Sequence, residues 1–345
     1  MPNRKKLLLS KLSFAALTVT ALIFSGCSSK QYFEPEQTFS ADGAASSYGG
    51  TIVDQSRDGA TLKSGRYIGK AGISNINLGE NYRFLSESSS YVLAGSSDGM
   101  LKIINKKSGN IVRTVSMGVP VVAAGIKNGL VAYVLNDNTF GIYKVSSDQK
   151  LIENRSEKTF AIDTRAATPM FIDNLAVIPM LDGKIVVISK DDTENATVVY
   201  LSSYDIFNNV IYLDRAGNTM VAATATKLMT IGDAGQQELR ANISDVAISK
   251  GQIYIFTKEG EVIKLDSTLN PVAQKKFKYV HFSAATAVAG KVYGLDQGGS
   301  LIVLNSNLTK YKIYDIGETD TPVFITGSKL YKDGKIIHLD KLGYN

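Results

Sequence analysis

The sequence predicts an all-β chain folded as a β-propeller of about seven four-stranded blades, with eight as the alternative count. Three features carry that prediction: a strand-turn-strand pattern with a period of ~40 residues, turns rich in Asp-Gly and Ser-Gly, and no helical periodicity after residue 27.

The pattern is clearest in residues 91–117, YVLAGSSDGMLKIINKKSGNIVRTVSM. Short β-branched and aliphatic runs are separated by the turns Ser97-Asp98-Gly99 and Lys107-Ser108-Gly109, whose glycines supply the positive φ that tight hairpins need. One such meander cannot bury its own apolar face and needs copies beside it. Six more units follow at residues 129–145, 175–189, 219–232, 252–266, 291–305 and 329–340. The turn positions from Gly99 to Gly334 lie on average about 39 residues apart, a propeller spacing.

A short apolar run precedes each unit, at 82–85, 121–126, 169–172, 210–213, 246–248, 284–288 and 323–326, and is expected to be the innermost strand. A more polar run follows the first six, as at 271–279 and 310–316, and is expected to be the outermost. The seventh unit has none before Asn345, while residues 72–78, GISNINL, stand alone ahead of the first. These residues are expected to complete the last blade and close the ring, which removes open sheet edges. Residues 51–69 read as an extra hairpin around Arg57-Asp58-Gly59 that caps the ring or begins its closing strand.

Residues 1–26 read as a signal peptide, with Arg4, Lys5, Lys6 and Lys11 ahead of an apolar run at 12–24 that is short for a membrane span. The run ends in Phe24-Ser25-Gly26-Cys27, which resembles a bacterial lipobox. Cys27 is the expected lipidation site, carrying acyl chains such as palmitate. The other reading is an ordinary secretory signal with an incidental cysteine. Cys27 is the chain's single cysteine, so an intramolecular disulfide is excluded, and acylation would remove a thiol exposed to an oxidising compartment. Ser28 is not the aspartate associated with inner-membrane retention, so by resemblance the chain belongs on the outer membrane, at its periplasmic face.

Taking the four basic residues of the signal from the chain's 38 leaves 34 against 32 acidic ones, a nearly neutral mature protein with nothing to attract nucleic acid. Residues 27–50, rich in Ser, Ala and Gly, are expected to be a flexible tether, and residues 51–345 the propeller domain.

The blade pattern, clearest at residues 94–110 and 252–266, resembles the pyrroloquinoline-quinone-type propeller repeat. Together with the lipobox, the mature chain resembles the BamB family of propeller lipoproteins of the outer-membrane β-barrel assembly machinery. The resemblance implies eight blades, a lipid anchor and protein partners in an outer-membrane barrel-assembly complex. It also implies a non-catalytic scaffold without a cofactor. Quinone-dependent enzymes on this fold resemble one another in their blade-locking tryptophans and, in many, a vicinal cysteine pair; this chain has no Trp and one Cys.

Other chemistry finds few residues. His281 and His338 lie in separate units, and Cys and His are too few to build a metal site. Asp191-Asp192 and Glu259-Gly260-Glu261 are turn carboxylates, Gly298-Gly299 is a hairpin turn with no helix after it, and no catalytic residue is assigned. Lys275-Lys276-Phe277-Lys278 is the densest basic cluster; it either blunts an outer edge or meets anionic headgroups.

Residues 203–209, SYDIFNN, enter an innermost strand on the face where propellers bind partners. Tyr204 and Phe207 are either partner anchors or core between blades, and Arg165 is a candidate rim contact. The leading class is an envelope protein-interaction scaffold, in outer-membrane protein assembly or in another envelope machine. The rival is an enzyme or small-ligand binder using the central channel, which convergent charged groups in the channel would favour.

Overall fold

The repeated turn does more than reverse the chain. At Gly99, φ is +84° and an added Cβ would lie 2.7 Å from the Val119 backbone nitrogen, so only glycine fits. The Gly99 carbonyl accepts the Met117 N–H (2.8 Å), pinning the loop that leads to the next blade. The same bond recurs from Ser156 to Asn138 (3.1 Å), Leu201 to Gly183 (2.9 Å), Phe277 to Gly260 (2.8 Å) and Ile316 to Gly299 (3.0 Å). Asn138 takes the left-handed conformation in place of glycine, with φ +64°. The sequence repeat therefore encodes both a hairpin and the anchoring of one face's loops.

The computed structural model describes residues 32–204, 206–318 and 321–345, and among these the strands gather into eight blades. Blade 1 is Ile52–Gln55, Ala60–Leu62, Tyr67–Gly69 and Gly72–Ile73. Blades 2 to 8 begin at the innermost strands Tyr82–Glu87, Val121–Lys127, Met170–Ile172, Tyr212–Ala216, Ile243–Ser249, Phe282–Val288 and Phe324–Thr326. Each blade is an antiparallel meander, and the core lies between blades. Each neighbouring pair shares an apolar layer, including the pair formed by blades 8 and 1, where Ile52, Leu62 and Ile68 pack with Phe324 and Tyr331.

Buried tyrosines tie neighbouring blades together. Tyr254 of blade 6 donates its hydroxyl to the Ser306 carbonyl of blade 7 (3.0 Å), and Tyr293 of blade 7 to the Leu339 carbonyl after blade 8 (2.9 Å). Each ring fills an inter-blade layer while its hydroxyl satisfies a backbone acceptor.

Three expectations are corrected. The ring has eight blades, the alternative count and not the leading count of seven, because residues 51–69 are no capping hairpin but the body of blade 1. Its strands have four, three, three and two residues, too short to show alternation. An N-terminal strand does close the ring, but it is Ala45–Ser47, antiparallel to Lys335–His338, with Ser46 opposite Ile336. Gly72–Ile73 is instead the outer strand of blade 1, and Leu78 is fully buried between blades 1 and 2. The expected tether at 27–50 is in part a docked strap. Phe33 packs edge-on against Phe277, Phe39–Ser40 pairs in parallel with Tyr314 and Asp315 of blade 7, and Ala45–Ser47 completes blade 8. Cys27 and the signal lie outside the described residues.

Candidate functional site

Two loops dominate the face on which chains enter the innermost strands: residues 156–169 between blades 3 and 4, and residues 201–211 between blades 4 and 5. Asn209, fully buried, stitches them together. Its Oδ1 accepts the Asp163 N–H (2.7 Å), and its Nδ2 donates to the carbonyls of Asp163 (3.2 Å) and Arg165 (2.8 Å). Asn208, also buried, donates to the Asp182 carbonyl (3.0 Å), while the Phe207 N–H donates to Ala161 (2.9 Å). With both asparagines turned inward, the residues before them are turned out.

Tyr204 is 60% exposed and Phe207 52%, so neither is core. Phe207 has φ +50°, a left-handed backbone that is unusual for a bulky aromatic. The structure adds residues that the sequence did not single out. Ile206 is exposed beside them, Tyr200 projects from the outer strand of blade 4, and Phe160 on the adjoining loop is 80% exposed. The two loops thus carry several large apolar side chains on a hydrogen-bonded frame.

Arg165 lies on the same loop at the channel mouth. Its Nε and Nη2 both bond the Asp163 carboxylate (2.9 and 2.6 Å). Burial pushes the Asp163 carboxyl upward, but the Arg165 guanidinium and backbone N–H outweigh it and hold the group below the usual carboxylate range. Arg165 therefore braces its own loop as it faces the rim.

The channel, about 670 Å³, is crossed by the turn of blade 1. Arg57 reaches to the far side of the ring, where its Nη2 meets Asp245 of blade 6 (2.7 Å) and the Val246 carbonyl (3.2 Å), and its guanidinium lies 4.7 Å from the Tyr212 ring centroid of blade 5. Asp245 in turn accepts the Ala285 N–H of blade 7 (3.2 Å). Burial raises the Asp58 carboxyl, against the pull of Lys70, Thr168 and Arg57. Arg83, which also lines the channel, donates to the Val121 carbonyl (2.8 Å). Arg57, Arg83 and Asp245 are thus engaged with one another and with backbone, as a plug that ties blades together, while Asp54 also lines the channel with its buried Oδ1 unpartnered among the described residues and its carboxyl raised by burial. The missed signal was Arg57-Asp58-Gly59 itself, a charged turn in a hairpin too short to reach the outside.

The histidines are apart. His338 Nε2 lies 3.0 Å from Ser46 Oγ across the closing strand, and His281 is exposed in the loop before blade 7. Among the described residues, no three of His, Cys, Asp or Glu come together in a group that could hold a metal ion.

The crystal structure of BamB from Moraxella catarrhalis superposes with a TM-score of 0.65 at 15% sequence identity, over 85% of this chain and 98% of the other. The fold is that of the BamB propeller. The C-terminal WD40 domain of Sif2 also matches, at a TM-score of 0.61 and 12% identity over 85% and 98% of the two chains, so likeness at this level speaks for architecture alone. In sequence, the plasminogen-binding protein PgbB of Helicobacter pylori is similar over 93% of this chain. It is 24% identical in strain J99 and 25% in strain 26695, over 70% and 69% of the relatives' lengths. No family model matches the chain.

Proposed function

We propose that this chain is a non-catalytic protein-interaction scaffold of the bacterial cell envelope, lipid-anchored through Cys27 to the periplasmic face of the outer membrane. Its docking surface is the loop pair at 156–169 and 201–211. The carrying observation is Phe207, an exposed aromatic in a left-handed backbone, fixed between two stitched loops and flanked by Tyr204, Ile206 and Phe160. Exposed aromatics on a rigid frame are suited to interface hot spots, because their ordering cost is met before the partner arrives. The engagement of the channel's arginines with Asp245, Asp163 and backbone supports binding by the face over chemistry in the channel.

The proposed partner is an envelope protein, and the resemblance of the lipobox and propeller repeat to the BamB lipoproteins favours a barrel-assembly complex. The likeness to PgbB favours a second reading in which plasminogen is the ligand. A photoreactive amino acid at Phe207, with a control at Leu151 on the outer strand of blade 3, tests both. In intact cells the Phe207 position should yield a specific protein adduct and Leu151 should not; with plasminogen added to the cells, an adduct to plasminogen would select the second reading. Equal adducts from both positions would remove the docking surface.

A further inference from the structure

We infer that the outer rim of blades 6 and 7 is a second interaction surface, one that rests on the anionic headgroups of the membrane holding the chain. The inference rests on the lipid-anchor reading of Cys27 and is independent of the docking face.

The first argument is the path of the chain. Phe33 packs against Phe277 with ring centroids 6.4 Å apart, and from there the strap runs along blade 7. Only residues 28–32 lie between an acylated Cys27 and that contact, and a fully extended chain over this interval spans at most ~20 Å. A coil through residue 50 would have let the ring stand off. The docked strap keeps this rim near the bilayer.

The second argument is the chemistry of the rim. Lys275 Nζ lies 4.7 Å from the Tyr311 ring centroid, Lys278 Nζ 4.7 Å from that of Tyr279, and Lys312 Nζ 3.8 Å from that of Phe39. Phe277 meets Tyr311 edge-on at 5.1 Å. These three lysines lie over aromatic rings, whereas Lys276 faces Glu261 (3.3 Å). Tyr311 is exposed among them, and Val272 is exposed on the same outer strand as Lys275. Lysine stems over aromatic rings, with tyrosines at the surface, are suited to a headgroup layer, where the ring sits at the interface and the ammonium meets phosphate. Protection of a sheet edge does not account for Lys312, because the strap already pairs with its strand at Tyr314 and Asp315, and the Lys312 ammonium, besides lying over Phe39, reaches the Asn345 carbonyl only at 3.4 Å.

The chain has no tryptophan, so Tyr311→Trp introduces a single fluorescent reporter into the full lipidated protein, and Leu151→Trp on blade 3 provides its control. Both are reconstituted in phosphatidylcholine vesicles carrying brominated lipid, with or without phosphatidylglycerol. The rim reporter should be quenched severalfold more than the control, and only when phosphatidylglycerol is present. Adding Lys275→Glu, Lys278→Glu and Lys312→Glu should weaken rim contact on the order of a hundredfold, since each lysine near an anionic surface is worth about fivefold. Equal quenching of the two reporters, or quenching indifferent to lipid charge, overturns the inference; the lipid comparison decides even if the triple variant misfolds. Intact-mass measurement separates the two readings. A chain with no acyl group on Cys27 sinks the anchor and this surface together, whereas an acylated chain with an unquenched rim sinks this surface alone.

Discussion

Phe207 holds a left-handed backbone while presenting its ring to solvent, and a propeller with no partner gains nothing from either feature. At that φ a side chain costs on the order of 1–2 kcal/mol relative to glycine. Phe207→Gly should therefore leave the melting temperature unchanged or raise it, while weakening partner binding. A clear fall in melting temperature would mean that the ring supports the fold. The aromatic pair was legible in SYDIFNN as apolar residues in a polar loop, but its exposure was not. That exposure depends on Asn209 bonding Asp163, a contact between residues 46 apart in the sequence. Phe160 carried no signal of its own, because its place beside Phe207 follows from the same long-range stitch. The Arg57 plug was hidden for a similar reason, its partner Asp245 lying on a blade far along the chain.

Strands were legible wherever they were long. The runs that make blades 2 to 7 have enough residues to display aliphatic alternation between Gly-containing turns, and their innermost strands fall close to the expected positions. Blade 1 and the closing strand escaped because both are built from very short strands, and Ala45-Ser46-Ser47 has the composition of a linker. Pairing with Lys335–His338, and not local propensity, makes it a strand. The consequence is testable by truncation. A mature chain beginning at Gly50 lacks both the strap on blade 7 and the fourth strand of blade 8, and exposes the Lys335–His338 edge. It should melt well below a chain beginning at Phe33, or aggregate. Equal melting temperatures would show that closure does not depend on the strap.

As a whole, the described propeller is a ring whose eight inter-blade layers, tyrosine locks and Arg57 plug all serve rigidity, while Phe160, Tyr204 and Phe207 stand exposed on two adjoining loops. Rigidity of the frame lets a small number of loop residues account for binding, since little ordering remains to be done when a partner arrives. The period of the sequence made the ring legible. It left the partner open, because the repeat specifies the frame and the docking loops are the places where the repeat is interrupted. The most direct test is the affinity of the partner captured at Phe207, measured together with thermal unfolding, for Tyr204→Ala with Phe207→Ala. Truncating a buried aromatic anchor typically costs about 2 kcal/mol or more, so binding should weaken at least ~30-fold at an unchanged melting temperature. Unchanged affinity in a folded double variant would contradict the assignment of this face as the docking surface.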